Sequence, residues 1–265
     1  MELKNILSTL EGLKVKGDLN IDISNIDSDS RNIKENGLFV AIKGFDVDGH
    51  NYIKEAIKRG AVAVIASIDA DKKLLREIMD KVTLILAPDT RLALAICACN
   101  FYDNPSRKFK LVGITGTKGK TTTSFMVKRI LEKAGKKVGL VGTIATYIGD
   151  EKLEDSDRTT PESIKLQQLF SRMARENCEV VIMEVSSQSL KLHRVAGCDF
   201  DIGVFTNFSE DHISAKEHPD MKDYFESKLK LFDMCKIGFV NSDDLQTAKI
   251  PRLLPDKNIS TYGID

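Results

Sequence analysis

Short, nearly continuous apolar runs alternate along the chain with segments whose apolar residues recur at helical spacing. That alternation predicts an α/β fold. In the first third the runs are residues 37–44, with glycine at each end, 61–65 and 83–86. Helical patterns between and after them cover 52–59, 71–81 and 91–102, the last with Asp89 placed as its N-cap. Asn104-Pro105-Ser106-Arg107 breaks the pattern, which predicts two domains, 1–105 and 106–265. Apolar runs resume at 111–115, 138–141, 180–183, 202–205 and 237–240. They lack polar alternation, so a mostly parallel sheet covered on both faces is expected. A helix should follow 111–115, with Met126, Ile130 and Ala134 on one apolar stripe, Val127 and Leu131 beside it, and Gly135 as terminator. Further helices are expected from Pro161 to about Asn177 and around 224–232.

Composition narrows the class. Lys+Arg and Asp+Glu both number 39 in 265 residues, which gives no basic surplus for a nucleic-acid partner. No run is long enough to span a membrane, and the charged N-terminus does not read as a signal peptide. Five scattered cysteines fit a reducing cytoplasm; Cys97 and Cys99 read as small buried side chains rather than a metal pair. A cytoplasmic protein is expected, with no membrane and no nucleic-acid partner, acting as a monomer.

The chemistry concentrates in Thr115-Gly116-Thr117-Lys118-Gly119-Lys120-Thr121-Thr122-Thr123, between an apolar strand and a helix. Unpaired N–H groups at a helix start, the helix dipole and a lysine suit the phosphates of a nucleoside triphosphate. The general pattern G-x-x-x-x-G-K-[ST] needs glycine at 114, and Ile114 stands there, so only a shorter form is present. In an open parallel sheet, ligands lie beyond the carboxyl ends of the strands. Glu184 and the segment 206–212, ending in Asp211-His212, fall at such ends beside the loop. A carboxylate one strand from a triphosphate loop suits Mg²⁺, although Glu184 alone could be an ordinary strand-end acid and His212 a surface histidine. By pattern Lys228 reads as a solvated lysine no different from Lys230, Arg194 as a surface charge, and Thr159-Thr160-Pro161 as a helix start. The residues alone thus give an ATP- and Mg²⁺-dependent enzyme of unstated reaction.

Taken together, the loop at 115–121, Thr159-Thr160-Pro161, Met183-Glu184-Val185-Ser186-Ser187, the segment from Phe205-Thr206-Asn207 to Asp211-His212, and Tyr224-Phe225 through Lys228 resemble the Mur ligases. In the first domain Asp29-Ser30-Arg31, Leu38-Phe39-Val40-Ala41 and Asp48-Gly49-His50 agree with that family's UDP-binding domain. The resemblance implies a small N-terminal α/β UDP-binding domain followed by a P-loop mononucleotide-binding domain that is incomplete. It implies an ATP-dependent, amide-forming ligase of peptidoglycan precursor synthesis, adding an amino acid to UDP-N-acetylmuramoyl-L-Ala-D-Glu through an acyl phosphate. ATP would lie on Gly116, Thr117, Lys118, Gly119, Lys120, Thr121 and Thr122. Thr121, Glu184 and His212 would hold Mg²⁺, and Lys120, His212 and a carbamate on Lys228 would be catalytic. Ser30, Thr159, Thr160, Ser186 and Arg194 would bind the UDP-muramoyl dipeptide. Gln188 departs from the family's histidine after the Ser-Ser pair.

The family has a third domain, so the chain is expected to be a fragment with little or no turnover. Two other expectations are a non-catalytic UDP-muramoyl-peptide binding remnant and a folylpolyglutamate synthetase-like ligase. The loop's position, behind about a hundred residues of separate domain, weighs against the latter.

Overall fold

The structure is a computed structural model that describes residues 1–211, 213–214 and 217–264. The chain divides into two compact units, Met1–Asp103 and Asn104–Asp265.

The first unit holds β1 (Lys14–Lys16), β2 (Asn25–Asp27), β3 (Gly37–Val40), β4 (Ala61–Ser67) and β5 (Thr83–Ala87) in the order β1-β5-β4-β3-β2. The last four are parallel neighbours, and β1 runs antiparallel along β5. Helices α1 (Leu3–Ile6), α2 (Ile53–Lys58), α3 (Lys72–Ile78) and α4 (Thr90–Phe101) accompany them. The expected helix boundaries hold to within a few residues, and the Asp89 carboxylate caps α4 by accepting from the N–H groups of Arg91 and Leu92. The run predicted at 37–44 leaves the sheet after Val40. There the chain turns back on itself, with Gly44 N–H on Val47 O and Gly49 N–H on Ile42 O, each 2.8 Å. His50 then pins this turn to the end of β4. Its Nδ1 lies 2.6 Å from Asp48 Oδ1, and its Nε2 accepts from Ser67 N–H at 3.0 Å.

The second unit is built on β6 (Lys110–Thr115), β7 (Val138–Val141), β8 (Ala145–Ile148), β9 (Glu151–Asp155), β10 (Val180–Glu184), β11 (Phe200–Phe205), β12 (Cys235–Asn241) and β13 (Ile259–Tyr262). Their order is β13-β12-β11-β6-β10-β7-β8-β9, parallel except for β8 and β9, which form an antiparallel extension at one edge. Helices α5 (Lys120–Lys133), α6 (Ser163–Arg175), α7 (Ser187–Lys191), α8 (Met221–Leu229) and α9 (Ile250–Leu253) complete it. Both faces of the sheet are covered, as the apolar runs predicted. Leu166, Phe170 and Met173 of α6 join the core with Leu111, Val181 and Met183. Phe125, Val127 and Leu131 of α5 pack against Val112, Ile114, Leu140 and Ile182.

The orientation of α5 differs from the expected one. Met126 and Ile130 are 59% and 66% exposed and Ala134 is exposed, whereas Ser124 and Lys128 are buried. Polar groups occupy the inner turns because their ends are satisfied there. The Ser124 hydroxyl donates to Thr121 O at 2.8 Å. Lys128 Nζ pairs with Glu132 Oε1 at 2.5 Å and lies 5.9 Å from the centre of the Tyr147 ring.

Candidate active site

The central strand β6 fixes where the chemistry gathers. Its neighbours β10 and β11 lie in register with it, Glu184 opposite Ile114 and Phe205 opposite Thr115. The carboxyl ends of three strands therefore open onto one rim, carrying the 116–119 loop, Glu184 and the 206–209 segment.

The loop is held by that last segment. Asn207 Oδ1 accepts from Lys118 N–H at 2.9 Å, and Asn207 O accepts from Thr117 N–H at 2.9 Å. The Thr206 hydroxyl donates to Lys118 O at 2.8 Å, and Ser209 N–H donates to Thr117 Oγ1 at 3.1 Å. Gly116 adopts φ +145°, and a Cβ there would stand 2.0 Å from Thr206 Oγ1, so no other residue fits without displacing the clamp. Gly119, at φ +82°, precedes the first turn of α5. Thr117 is buried, while Lys118, Gly119 and Thr122 are exposed.

Lys120 folds back over the loop, donating to Gly116 O at 2.9 Å and Thr117 O at 3.1 Å. Burial lowers the pKa of its ammonium, against the opposing pull of the Glu184 and Asp211 charges. Glu184 is 0% exposed yet fully hydrogen-bonded. The Thr121 hydroxyl donates to its Oε2 at 2.9 Å, and Thr143 donates through N–H to Oε1 and through its hydroxyl to Oε2, both at 3.0 Å. Gly142 permits this approach, since a Cβ at that position would lie 2.3 Å from Oε1. Carboxylate and hydroxyl thus converge beside the loop. Such hard oxygen donors fit Mg²⁺, which needs few protein ligands when phosphate and water supply the rest. His212 lies outside the described residues. Among the described residues no cluster of three or more His, Cys, Asp or Glu offers an all-protein metal cage.

Lys228 is not the solvated lysine its pattern suggests. It is 2% exposed, its Nζ donates to Gly116 O at 2.9 Å, and it lies 4.5 Å from the centre of the Tyr224 ring. Burial, with the Lys120 charge adding to it, pushes its pKa down to about 7. Its sequence neighbour Lys230 is exposed.

A cavity of about 240 Å³ joins these parts. Thr159, Thr160, Ser186 and Arg194 line it together with Lys120 and Lys228. The Thr160 hydroxyl donates to Glu184 O at 2.9 Å and accepts from Ser186 N–H at 3.0 Å, so strand end and helix start are stitched together. Arg194 is buried, with Nε 3.0 Å from Glu162 Oε1, rather than a surface charge. Arg158, Ser187, Gln188 and Glu217 also line the cavity, and sequence reading assigned none of them a role. The Ser-Ser pair is the sequence feature that adjoins two of them, Ser187 and Gln188. Lys120, Arg158 and Arg194, with Lys228 partly protonated at neutral pH, outnumber the one Glu217 carboxylate and favour an anionic ligand. Ser30 belongs to the first unit, where it is buried at the start of a short turn capped by the Asp29 carboxylate.

Comparison with known proteins agrees with this arrangement. Residues 114–265 match the Mur ligase middle domain, and residues 22–102 match the Mur ligase family catalytic domain. The chain is 44% identical over 264 residues to UDP-N-acetylmuramoyl-L-alanyl-D-glutamate–2,6-diaminopimelate ligase 1 of Clostridium acetobutylicum, covering 100% of this chain and 53% of that one. It is 48% identical over 262 residues to the corresponding ligase of Caldanaerobacter subterraneus subsp. tengcongensis, covering 98% and 52%. A solved structure of a UDP-N-acetylmuramoyl-L-alanyl-D-glutamate–2,6-diaminopimelate ligase superposes with a TM-score of 0.79 at 21% identity, over 100% of this chain and 52% of that one. The chain spans about half the length of the curated relatives it matches. Among the described residues no helix is long and apolar enough to cross a membrane. A glycine-rich loop at a strand end, an enclosed carboxylate and a cavity beside them stand in a sequence matched along both units, and that match establishes that the chain belongs to the Mur ligase family.

Proposed function

We propose that the chain carries the nucleotide-sugar and ATP-binding parts of a ligase that joins an amino acid to UDP-N-acetylmuramoyl-L-Ala-D-Glu. The observation that carries this reading is the single cavity in which Lys120 of the phosphate loop and Lys228 face Thr159, Thr160, Ser186 and Arg194. An anionic peptide held by Arg194 and the threonines would have its carboxylate beside the γ-phosphate of ATP held by Lys120. Attack of that carboxylate on the γ-phosphorus releases ADP and leaves an acyl phosphate. The incoming amine then forms the C–N bond and phosphate departs. Here the protein positions the reactants and stabilises charge. Thr121 and Glu184 would hold Mg²⁺, which supplies charge neutralisation on the phosphates. The relatives' names give 2,6-diaminopimelate as the amino acid.

Lys228 supports the same reading. A lysine with its pKa near 7 is substantially neutral at physiological pH, and only the neutral amine adds CO₂. Carbamate formation would exchange a cation for an anion beside the loop and relieve its repulsion with Lys120. In the first unit, Ser30 and its capped turn would take the UDP end. Four fully buried or enclosed thiols among the five free cysteines are consistent with a reducing cytoplasm. The folylpolyglutamate synthetase alternative is disfavoured, because the ligase relatives align along both units.

Calorimetry with UDP-N-acetylmuramoyl-L-Ala-D-Glu tests the proposal. Saturable binding that weakens in Arg194→Ala is expected, and its absence from the folded chain would refute the reading. Incubation with ¹³C-bicarbonate should give a carbamate signal that Lys228→Ala abolishes.

A further inference from the structure

A second polar constellation borders the cavity, built from residues given no part in it so far. His218 is 0% exposed and held from two sides. Its Nδ1 stands 2.6 Å from Asp223 Oδ2 and its Nε2 stands 2.8 Å from Ser187 Oγ. The same Asp223 oxygen accepts from Lys191 Nζ at 2.7 Å, and Lys191 also donates to Glu217 O at 3.0 Å. The Tyr224 ring closes the histidine's remaining side at 5.0 Å between ring centres. Ser187 lines the cavity beside Ser186 and Gln188.

The hydrogen positions follow by elimination. Burial pushes the Asp223 carboxyl up, but hydrogen bonds from Lys191 and His218 outweigh it and hold the group below its ordinary value. An ionised carboxylate only accepts, so Nδ1 must carry a proton. Burial lowers the pKa of His218 by more than Asp223 restores, with the Lys191 and Lys228 charges pushing the same way, so the ring is neutral at pH 7. A neutral ring protonated at Nδ1 has a bare Nε2, which can only accept. Ser187 must therefore give its one hydrogen to His218. Its oxygen is left with lone pairs alone.

We propose that Asp223, through the buried His218, fixes the Ser187 hydroxyl as a hydrogen-bond acceptor toward the cavity, so that the site reads an N–H group of its ligand at that point. An unconstrained serine would turn its hydrogen toward a ligand carbonyl equally well; this one cannot without losing its bond to His218. Beside Lys120, Arg158 and Arg194, this acceptor suits an anion carrying a nearby amide, such as an N-acylated amino acid. That ligand chemistry rests on the functional reading above, whereas the proton arrangement does not. The Asp–His–Ser order is also that of hydrolytic triads, but a histidine with no exposed surface has no route to a leaving group. Asp223 and His218 are positioning residues.

Two measurements test this on the chain as it stands. Long-range ¹H–¹⁵N correlation of the four imidazoles, with His218 assigned by its loss in His218→Asn, reports which ring nitrogen carries hydrogen at pH 7. A protonated Nδ1 with a bare Nε2 is expected, and a protonated Nε2 overturns the proposal. Calorimetry then compares UDP-N-acetylmuramoyl-L-Ala-D-Glu with its depsipeptide analogue, in which oxygen replaces the N–H between the two residues. The wild-type chain should prefer the amide by about three- to tenfold, the span of one neutral hydrogen bond, and Ser187→Ala should lose that preference. A preference that persists in Ser187→Ala, or is absent from the wild type, overturns the proposal. Failure of the wild type to bind either ligand refutes the functional reading instead, while the ring-nitrogen signals still decide the proton arrangement.

Discussion

Replacing Lys228 by methionine should make the protein more stable at neutral pH. The lysine's pKa falls from its ordinary 10.5 to about 7 in the folded chain. At about 1.4 kcal/mol per pH unit that corresponds to a cost of roughly 5 kcal/mol, nearly all of it present at pH 7. Methionine has a similar length and no charge to desolvate, so packing around Tyr224 is largely kept. The substitution forfeits one hydrogen bond, but the acceptor stays satisfied because Gly116 O also receives Lys120 Nζ at 2.9 Å. Subtracting about 1–2 kcal/mol for that bond leaves a net gain of about 3–4 kcal/mol. The pH dependence carries the sign. Between about pH 7 and 10.5 the unfolded chain binds the Lys228 proton and the folded chain does not. This residue's contribution to wild-type stability therefore rises with pH across that window, and the variant's advantage should shrink toward pH 10. Urea unfolding followed by circular dichroism at both pH values, in CO₂-free buffer, measures it. A variant less stable than wild type at pH 7, or an advantage unchanged at pH 10, would refute the reasoning.

Gly116→Ala should lower stability by at least about 2 kcal/mol and abolish nucleotide binding, because its Cβ would overlap Thr206 at a positive φ; an unchanged melting temperature would count against the clamp. Lys120→Ala should weaken ATP binding by about 10- to 100-fold, as expected for a charge-assisted contact, while leaving the circular dichroism spectrum intact. Glu184→Gln should erase most of the difference in ATP affinity measured with and without Mg²⁺. If the difference survives, the metal is held elsewhere.

The parts of the fold legible in the sequence are those where one physical force dominates. Runs such as 111–115 and 180–183 are apolar throughout because both faces of their strands are covered, and composition alone shows it. The β8–β9 hairpin is not legible in the sequence because Glu151-Lys152-Leu153-Glu154-Asp155 is an edge strand with polar side chains, lacking any apolar run. The face of α5 was misread for the opposite reason: its buried turns contain Ser124 and Lys128, whose polar ends find partners nearby. In the site, the placement of Gly116, Lys120 and Glu184 on one rim is legible because each follows an apolar run that forms a parallel strand. Nothing local separates buried Lys228 from exposed Lys230; only the approach of α8 to Gly116 does so. The Asp223–His218–Ser187 chain was invisible for the same reason, since His218 and Ser187 are 31 residues apart.

The registered rim of β6, β10 and β11 also has a consequence for the order in which the molecule assembles. The bonds that shape the phosphate loop span long stretches of chain: 63 residues from Thr121 to Glu184, 88 from Lys118 to Thr206 and 112 from Gly116 to Lys228. Contacts of such separation form late, after the entropy of closing the intervening chain has been overcome. The loop residues are contiguous, but their conformation is not local property. During refolding, ATP binding should therefore appear with completion of the second unit's sheet rather than with formation of α5, which makes nucleotide binding a reporter of the finished unit.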